Sequence, residues 1–167
     1  DVLHNLPKEK RMQLMRFMHS KTSKKLRKLL GFAQDSAGGL MTTEYLYLGE
    51  EAFVKDALQK IKENVDYPGN IFFVYIVDQK HRLVGVTSLR RFINEEPETL
   101  LMETCYPSEI FVQTDDDMEE IALLLEKYKF SSIPVLDEDN ILQGVITSDD
   151  VMEELISLTW TKYKDQL

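Results

Sequence analysis

Apolar and polar positions along this chain follow two rhythms. Val54, Ala57, Leu58 and Ile61 fall at i, i+3, i+4 and i+7, and so do Met118, Ile121, Ala122 and Leu125. Each stripe predicts an amphipathic helix, one over residues 50–64 and one over 118–128. Short apolar runs bounded by polar turns predict strands at residues 71–77 and 83–86, and again at 133–136 and 141–146. Shorter strands are expected at 44–48 and near 109–113. A loop carrying Tyr67-Pro68-Gly69 follows the first helix. Closing helices are expected after Ser88 and from Ser148, the second running past Trp160 with no stop signal before Leu167, so that the chain is expected to continue. Upstream, Pro7 suits the first turn of a helix that Met12, Leu14, Met15, Phe17 and Met18 carry to about His19. Thr22 can cap another, with Leu26, Leu29 and Leu30 on one face and Gly31 at its end. Two such helices cannot make a core; they read as the tail of a larger helical domain, or as a lid.

The elements come twice. With Asp78 aligned on Asp137, Leu83 matches Leu142, Gly85 matches Gly144, Val86 matches Val145 and Ser88 matches Thr147, all 59 positions apart. A repeated βαββα unit predicts an α/β (α+β) fold of two half-domains related by a pseudo-twofold axis, with a cleft between them. The expected divisions are a helical tail at 1–34, repeat one at 35–101, repeat two at 102–156 and the start of a connecting helix at 157–167. The small-residue run 35–42 reads as a connection into repeat one.

Composition narrows the function. The single cysteine, Cys105, permits no disulfide framework, and with three histidines it makes a zinc site improbable. No apolar run is long enough for a membrane span, and no signal sequence opens the chain. Residues 1–30 carry nine Lys/Arg against two acids, whereas residues 31–167 carry eleven against 27, a net of −16. Such a surface repels nucleic acid and attracts cations. No nucleophile–base pair or glycine-rich phosphate loop points to an enzyme.

The strand–turn–strand ending Gly144-Val-Ile-Thr-Ser-Asp-Asp-Val151, with its twin Gly85-Val-Thr-Ser-Leu-Arg-Arg-Phe92, resembles cystathionine-β-synthase (CBS) domains, which occur in tandem as a pseudo-twofold pair. The wording Asp35-Ser-Ala-Gly-Gly-Leu-Met-Thr-Thr-Glu-Tyr45, then Tyr75-Ile-Val-Asp78, then Gly85-Val-Thr-Ser-Leu-Arg90, is similar to the cytosolic region of MgtE-type magnesium transporters. That resemblance implies a CBS pair preceded by the remnant of a helical N-terminal domain and followed by a helix leading to a transmembrane pore. It also implies a homodimer on the cytoplasmic side of the membrane, regulated by Mg2+. A CBS module that answers to nucleotides and controls a different effector is the alternative.

Two acidic clusters are available, Asp115 to Asp117 with Glu119 and Glu120, and Asp149, Asp150, Glu153 and Glu154. Mg2+ takes oxygen ligands, keeps several waters and uses one or two carboxylates directly. Residues 150, 153 and 154 share a helical face. The resemblance implies regulatory Mg2+ near Asp117, Glu119, Asp150 and Glu153. The plainer account is helix capping: Asp116 with Glu119 at one helix start, Thr147 with Asp150 at the other, where acids suit the dipole. In CBS pairs a Ser/Thr-x-x-Asp at the head of the closing helix can hold a ribose. Thr147 and Asp150 match, but repeat one has Ser88 and then Arg91, which accepts no hydrogen bond. ATP or AMP is therefore expected to bind weakly, at the end served by Thr147 and Asp150, with Arg90 available to phosphate. His81 is expected in solvent, Phe72, Phe73 and Tyr75 in the core or cleft wall, and Cys105 without a chemical role.

Overall fold

The computed structural model describes residues 31–33, 35–64, 72–106 and 110–164, with side chains to 156. The expected helices before Gly31 and the loop at 67–69 lie outside the described residues. The elements run α1 (Ala37–Leu40), β1 (Leu46–Gly49), α2 (Val54–Glu63), β2 (Phe73–Val77), β3 (Leu83–Ser88), α3 (Leu89–Phe92), the 3-10 turn η1 (Leu101–Thr104), β4 (Val112–Gln113), α4 (Met118–Tyr128), β5 (Ser132–Leu136), β6 (Leu142–Thr147) and α5 (Ser148–Lys164). Two three-stranded sheets result, β1-β2-β3 and β4-β5-β6. In each, the first strand lies parallel to the second and the third antiparallel to it.

The repeat holds residue by residue. Phe73 pairs with Ser88 and Ser132 with Thr147; Ile76 faces Gly85 and Val135 faces Gly144. Even the irregularity recurs, between Ile76 and Val77 and between Val135 and Leu136. Both helical stripes face inward: Val54, Ala57 and Ile61 are buried on α2, and Met118, Ile121 and Leu125 on α4.

The sheets meet through Tyr75, Val77 and Leu83 of one and Leu136, Leu142 and Val145 of the other. At that seam the two hairpin turns bond to each other: Leu83 N donates to Asn140 O at 3.1 Å and Leu142 N to His81 O at 3.0 Å. His81 and Asn140 hold matching left-handed conformations, with φ of 64° and 61°. Asp78 and Asp137 fix the turns, their carboxylates accepting from the N–H groups of Lys80 and Arg82 and of Asp139 and Ile141. The Arg82 backbone N–H is the main influence holding the Asp78 carboxyl below its ordinary range, with the Arg82 guanidinium assisting and burial opposing. His81 is therefore not in solvent as its sequence context suggests. It is half-buried, with Nε2 3.2 Å from Tyr45 OH and its ring 4.8 Å from that of Tyr47, edge-on.

The run 35–42 does more than connect. Met118 N donates to Asp35 O, Ala37 N donates to Asp116 O, and Thr42 exchanges two backbone hydrogen bonds with Val145. The segment before repeat one is thus bound to repeat two. The segment before repeat two returns the exchange: Val54 N donates to Thr99 O, Leu101 N to Ala52 O and Tyr106 N to Val86 O. Ala37 and Met41 complete the core of the second repeat, and Met102 and Cys105 pack on that of the first. Each half-domain is finished by a piece of chain delivered from outside it.

These crossings explain the two aligned glycines. A Cβ on Gly144 would lie 2.7 Å from both Thr42 O and Met41 Sδ; one on Gly85 would lie 2.7 Å from Cys105 Sγ and 3.2 Å from Met102 Sδ. Side chains can shift, whereas a backbone carbonyl tied into a bridge cannot. Gly144→Ala should therefore destabilise the protein by about 1–3 kcal/mol, the usual cost of overpacking, and Gly85→Ala by less. Urea unfolding of the two variants checks this, and a larger loss for Gly85→Ala would contradict it.

Candidate functional site

The two ends of the cleft are built from the same repeat but different side chains. At the head of α5, Thr147 and Asp150 form a reciprocal cap. Asp150 N donates to Thr147 Oγ1 at 3.3 Å, and one carboxylate oxygen of Asp150 accepts from Thr147 N at 3.1 Å and from Thr147 Oγ1 at 2.6 Å. The equivalent positions in repeat one are Ser88 and Arg91, and no such cap can form because a guanidinium only donates. Ser88 Oγ instead lies 2.9 Å from Tyr106 OH, and Arg91 donates through Nε to Thr104 O at 2.6 Å while its guanidinium rests 4.8 Å from the centre of the Tyr106 ring. The closing helix of repeat one is correspondingly short, only Leu89–Phe92. Arg90 on it is exposed.

A cavity of about 330 Å3, open mouth included, lies between the repeats. Repeat one contributes Phe73 and Val86, and Tyr106 and Ile110 come from the start of repeat two. Phe130, Ser132 and Pro134 line it from repeat two. Most of that volume is open mouth, and the enclosed space is only about 30 Å3; its walls are largely apolar, as those of ligand sites usually are. Its neighbours are Ser88 and Arg91, through Tyr106; neither Thr147 nor Asp150 is among its lining residues. Phe73 is thus a cleft wall, whereas Tyr75 is buried with its hydroxyl 2.7 Å from Ser132 Oγ, and burial raises its phenol well above the ordinary value. Phe72 is 61% exposed and does not line the cavity, so it is in neither the core nor the cleft wall expected of it.

Asp117, rather than Asp116, caps α4: its carboxylate accepts from Glu120 N at 2.9 Å. The Asp116 carboxylate turns back to accept from Gln113 N. Glu119 is exposed on the first turn of α4 and Glu153 on the second turn of α5, while Asp150 is partly buried in its cap. Among the described residues, no three His, Cys, Asp or Glu side chains converge to hold a metal ion. The ion pairs among them are Lys55–Glu98 and Arg82–Asp78, so neither acidic cluster is neutralised by a described cation.

The signal for the cavity was in the sequence but dispersed. Pro134 and Tyr75 occupy equivalent positions, as the pairing of Pro134 with Val145 and of Tyr75 with Val86 shows. The large ring stands on one side of the axis and the small one on the other.

The CBS-domain family model matches residues 37–98 and 104–157. This chain belongs to the CBS-domain family. It is similar to the magnesium transporter MgtE of Thermus thermophilus, 37% identical over 143 residues, which are 86% of this chain and 32% of that protein. It is also similar to the magnesium transporter MgtE of Bacillus subtilis, 35% identical over 139 residues, 83% of this chain and 31% of that one. It spans about a third of the length of these relatives. A crystal structure of the cytosolic domain of the Mg2+ channel MgtE in complex with ATP matches with a TM-score of 0.84 at 36% identity, covering 91% of this chain and 61% of that one. The soluble part of a magnesium transporter matches at 0.87 and 31%, covering 93% and 61%. The chain is a CBS pair homologous to the cytosolic region of MgtE. Among the described residues, no helix is long and apolar enough to cross a membrane.

The cap on α5 gives a direct expectation. Thr147→Ala should cost about 0.5–2 kcal/mol and Thr147→Ser should recover most of it. A thermal midpoint unmoved by Thr147→Ala would mean that the box contributes nothing.

Proposed function

We propose that this chain is the cytosolic regulatory region of a magnesium transporter, lying on the cytoplasmic side of the membrane and controlling a pore in the same full-length chain. The observation that carries this reading is the likeness, over nine-tenths of the chain and at 31–36% identity, to soluble parts of magnesium transporters. The charge distribution supplies a mechanism. With a net of −16 after residue 30, the acidic helix starts repel one another and any acidic neighbour. Mg2+ bridging such surfaces cancels the repulsion and favours the closed arrangement, a shift of population by a ligand that prefers one state.

The donors suit this ion. Glu119 and Glu153 are exposed carboxylates, and Asp117 and Asp150 beside them already commit oxygens to helix caps. A cation that keeps its waters needs only one or two of them from any one surface. A second copy of the chain, as in a homodimer, or an N-terminal helical domain supplies the opposing surface. The regulatory role requires no catalysis.

A second ligand is favoured by one observation, the apolar cleft of Phe73, Val86, Phe130 and Pro134, in a chain whose relative has been crystallised with ATP. We assign to this cleft an adenine nucleotide, with Arg90 and Arg91 near the phosphates. Thr147 and Asp150, expected to hold the ribose, stand at the twofold-related position and serve chiefly as a cap.

Millimolar MgCl2 should raise the thermal midpoint, by the equivalent of about 1.4 kcal/mol for one site at ten times its dissociation constant. KCl at matched ionic strength should do less, because it only screens. Equal stabilisation by the two salts would reduce the clusters to general electrostatics. Changing Glu119 and Glu153 to glutamine should weaken the Mg2+ effect and leave the ion-free fold nearly as stable, since neither caps a helix or forms an ion pair with a described residue.

A further inference from the structure

A nucleotide offers a cleft three different handles: a flat base, a sugar diol and an anionic tail. This inference rests on the nucleotide reading of the cleft and concerns which handles are gripped. The walls suit a base: Phe130, Pro134, Val86 and Ile110 give apolar surface to a flat ring. The two polar side chains in the lining are already engaged with protein. Ser132 Oγ is 2.7 Å from Tyr75 OH, and Tyr106 OH is 2.9 Å from Ser88 Oγ.

A sugar diol is read best by a carboxylate, which accepts from both hydroxyls at once. None of the lining residues is Asp or Glu. The position that carries Asp150 in repeat two carries Arg91 here, held at the cleft by Thr104 O and the Tyr106 ring. Only its Nε–H is used in that anchoring, which leaves the paired Nη donors for an acceptor outside the fold. A sugar hydroxyl can accept from them, but a phosphate, charged and matched to the fork, outcompetes it. Arg90, exposed beside it, adds charge of the same sign.

We propose that this cleft grips a purine nucleotide by its base and its phosphates and leaves the sugar unread, accepting ribo- and 2′-deoxyribonucleotides alike. Discrimination falls on the phosphate tail, and Arg91 is the residue that sets it.

Calorimetric titration of the 167-residue chain with ATP, 2′-deoxy-ATP and adenosine tests this directly. ATP and 2′-deoxy-ATP should bind within about threefold of each other, and adenosine at least about tenfold more weakly, since a charge-assisted hydrogen bond is worth roughly ten- to a hundredfold in affinity. In Arg91→Asp, with folding checked by circular dichroism, the restored acceptor should make ATP at least about tenfold tighter than 2′-deoxy-ATP. A native preference for ATP over 2′-deoxy-ATP beyond threefold overturns the sugar claim and leaves the nucleotide reading standing. Adenosine binding as well as ATP overturns the assignment of Arg91 to phosphate. No binding of any of the three at millimolar concentration overturns the nucleotide reading and this inference with it. The native comparison needs no variant, so a misfolded Arg91→Asp does not remove the test.

Discussion

The architecture depends on one packing constraint: two short segments must pass over the backbone of the opposite repeat with almost no space between them. Thr42 bonds to Val145 beside Gly144, and Tyr106 bonds to Val86 beside Gly85. A Cβ on Gly144 would lie 2.7 Å from the Thr42 carbonyl, which cannot yield, and one on Gly85 the same distance from the Cys105 sulfur, which can. Each sheet lacks part of its core until the segment from the other repeat arrives. Half of this protein would expose the apolar face that Ala37 and Met41, or Met102 and Cys105, now cover. The pseudo-twofold seam through Leu83 and Leu142 joins two units that are already interlocked.

Function arises where the symmetry is broken. Identical backbones carry Tyr75 against Pro134, Thr42 against Tyr106 and Arg91 against Asp150. The first two substitutions bear on which side of the axis has room for a ligand. The third decides whether the head of a closing helix is capped, as on the 17-residue α5, or committed to an arginine–tyrosine stack, as on the four-residue α3. A long, capped helix leaving the second repeat is suited to carry a change in the pair to whatever follows it, in keeping with the regulatory role proposed above.

Much of the fold was legible because its signals are local. The stripe on α4 predicts residues 118–128, and the helix is Met118–Tyr128. Apart from the strand expected near 109–113, which is only Val112–Gln113, strand limits fall within a residue or two of expectation, since apolar runs and turns mark them. What was not legible depends on contacts remote in sequence. Nothing in the run 36–42 says that it joins the sheet of residues 132–147 rather than its own. His81 reads as a turn residue in water because the Tyr45 hydroxyl that meets it lies 36 positions away. The cavity draws its walls from several separate stretches, and none of them is a motif. The cap on α4 was misplaced by one residue, Asp116 for Asp117, as local patterns commonly allow.

The central claim is that the two repeats are one cooperative unit held by reciprocal exchange. Native-state hydrogen exchange measures it most directly, through the amides of Thr42 and Tyr106 at the crossings and Leu83 and Leu142 at the seam. The account predicts that all four exchange with the same opening free energy, equal to that of global unfolding. Opening of Tyr106 and Leu83 at a distinctly lower free energy than Thr42 and Leu142 would mean that one repeat unfolds while the other stands, and would contradict it.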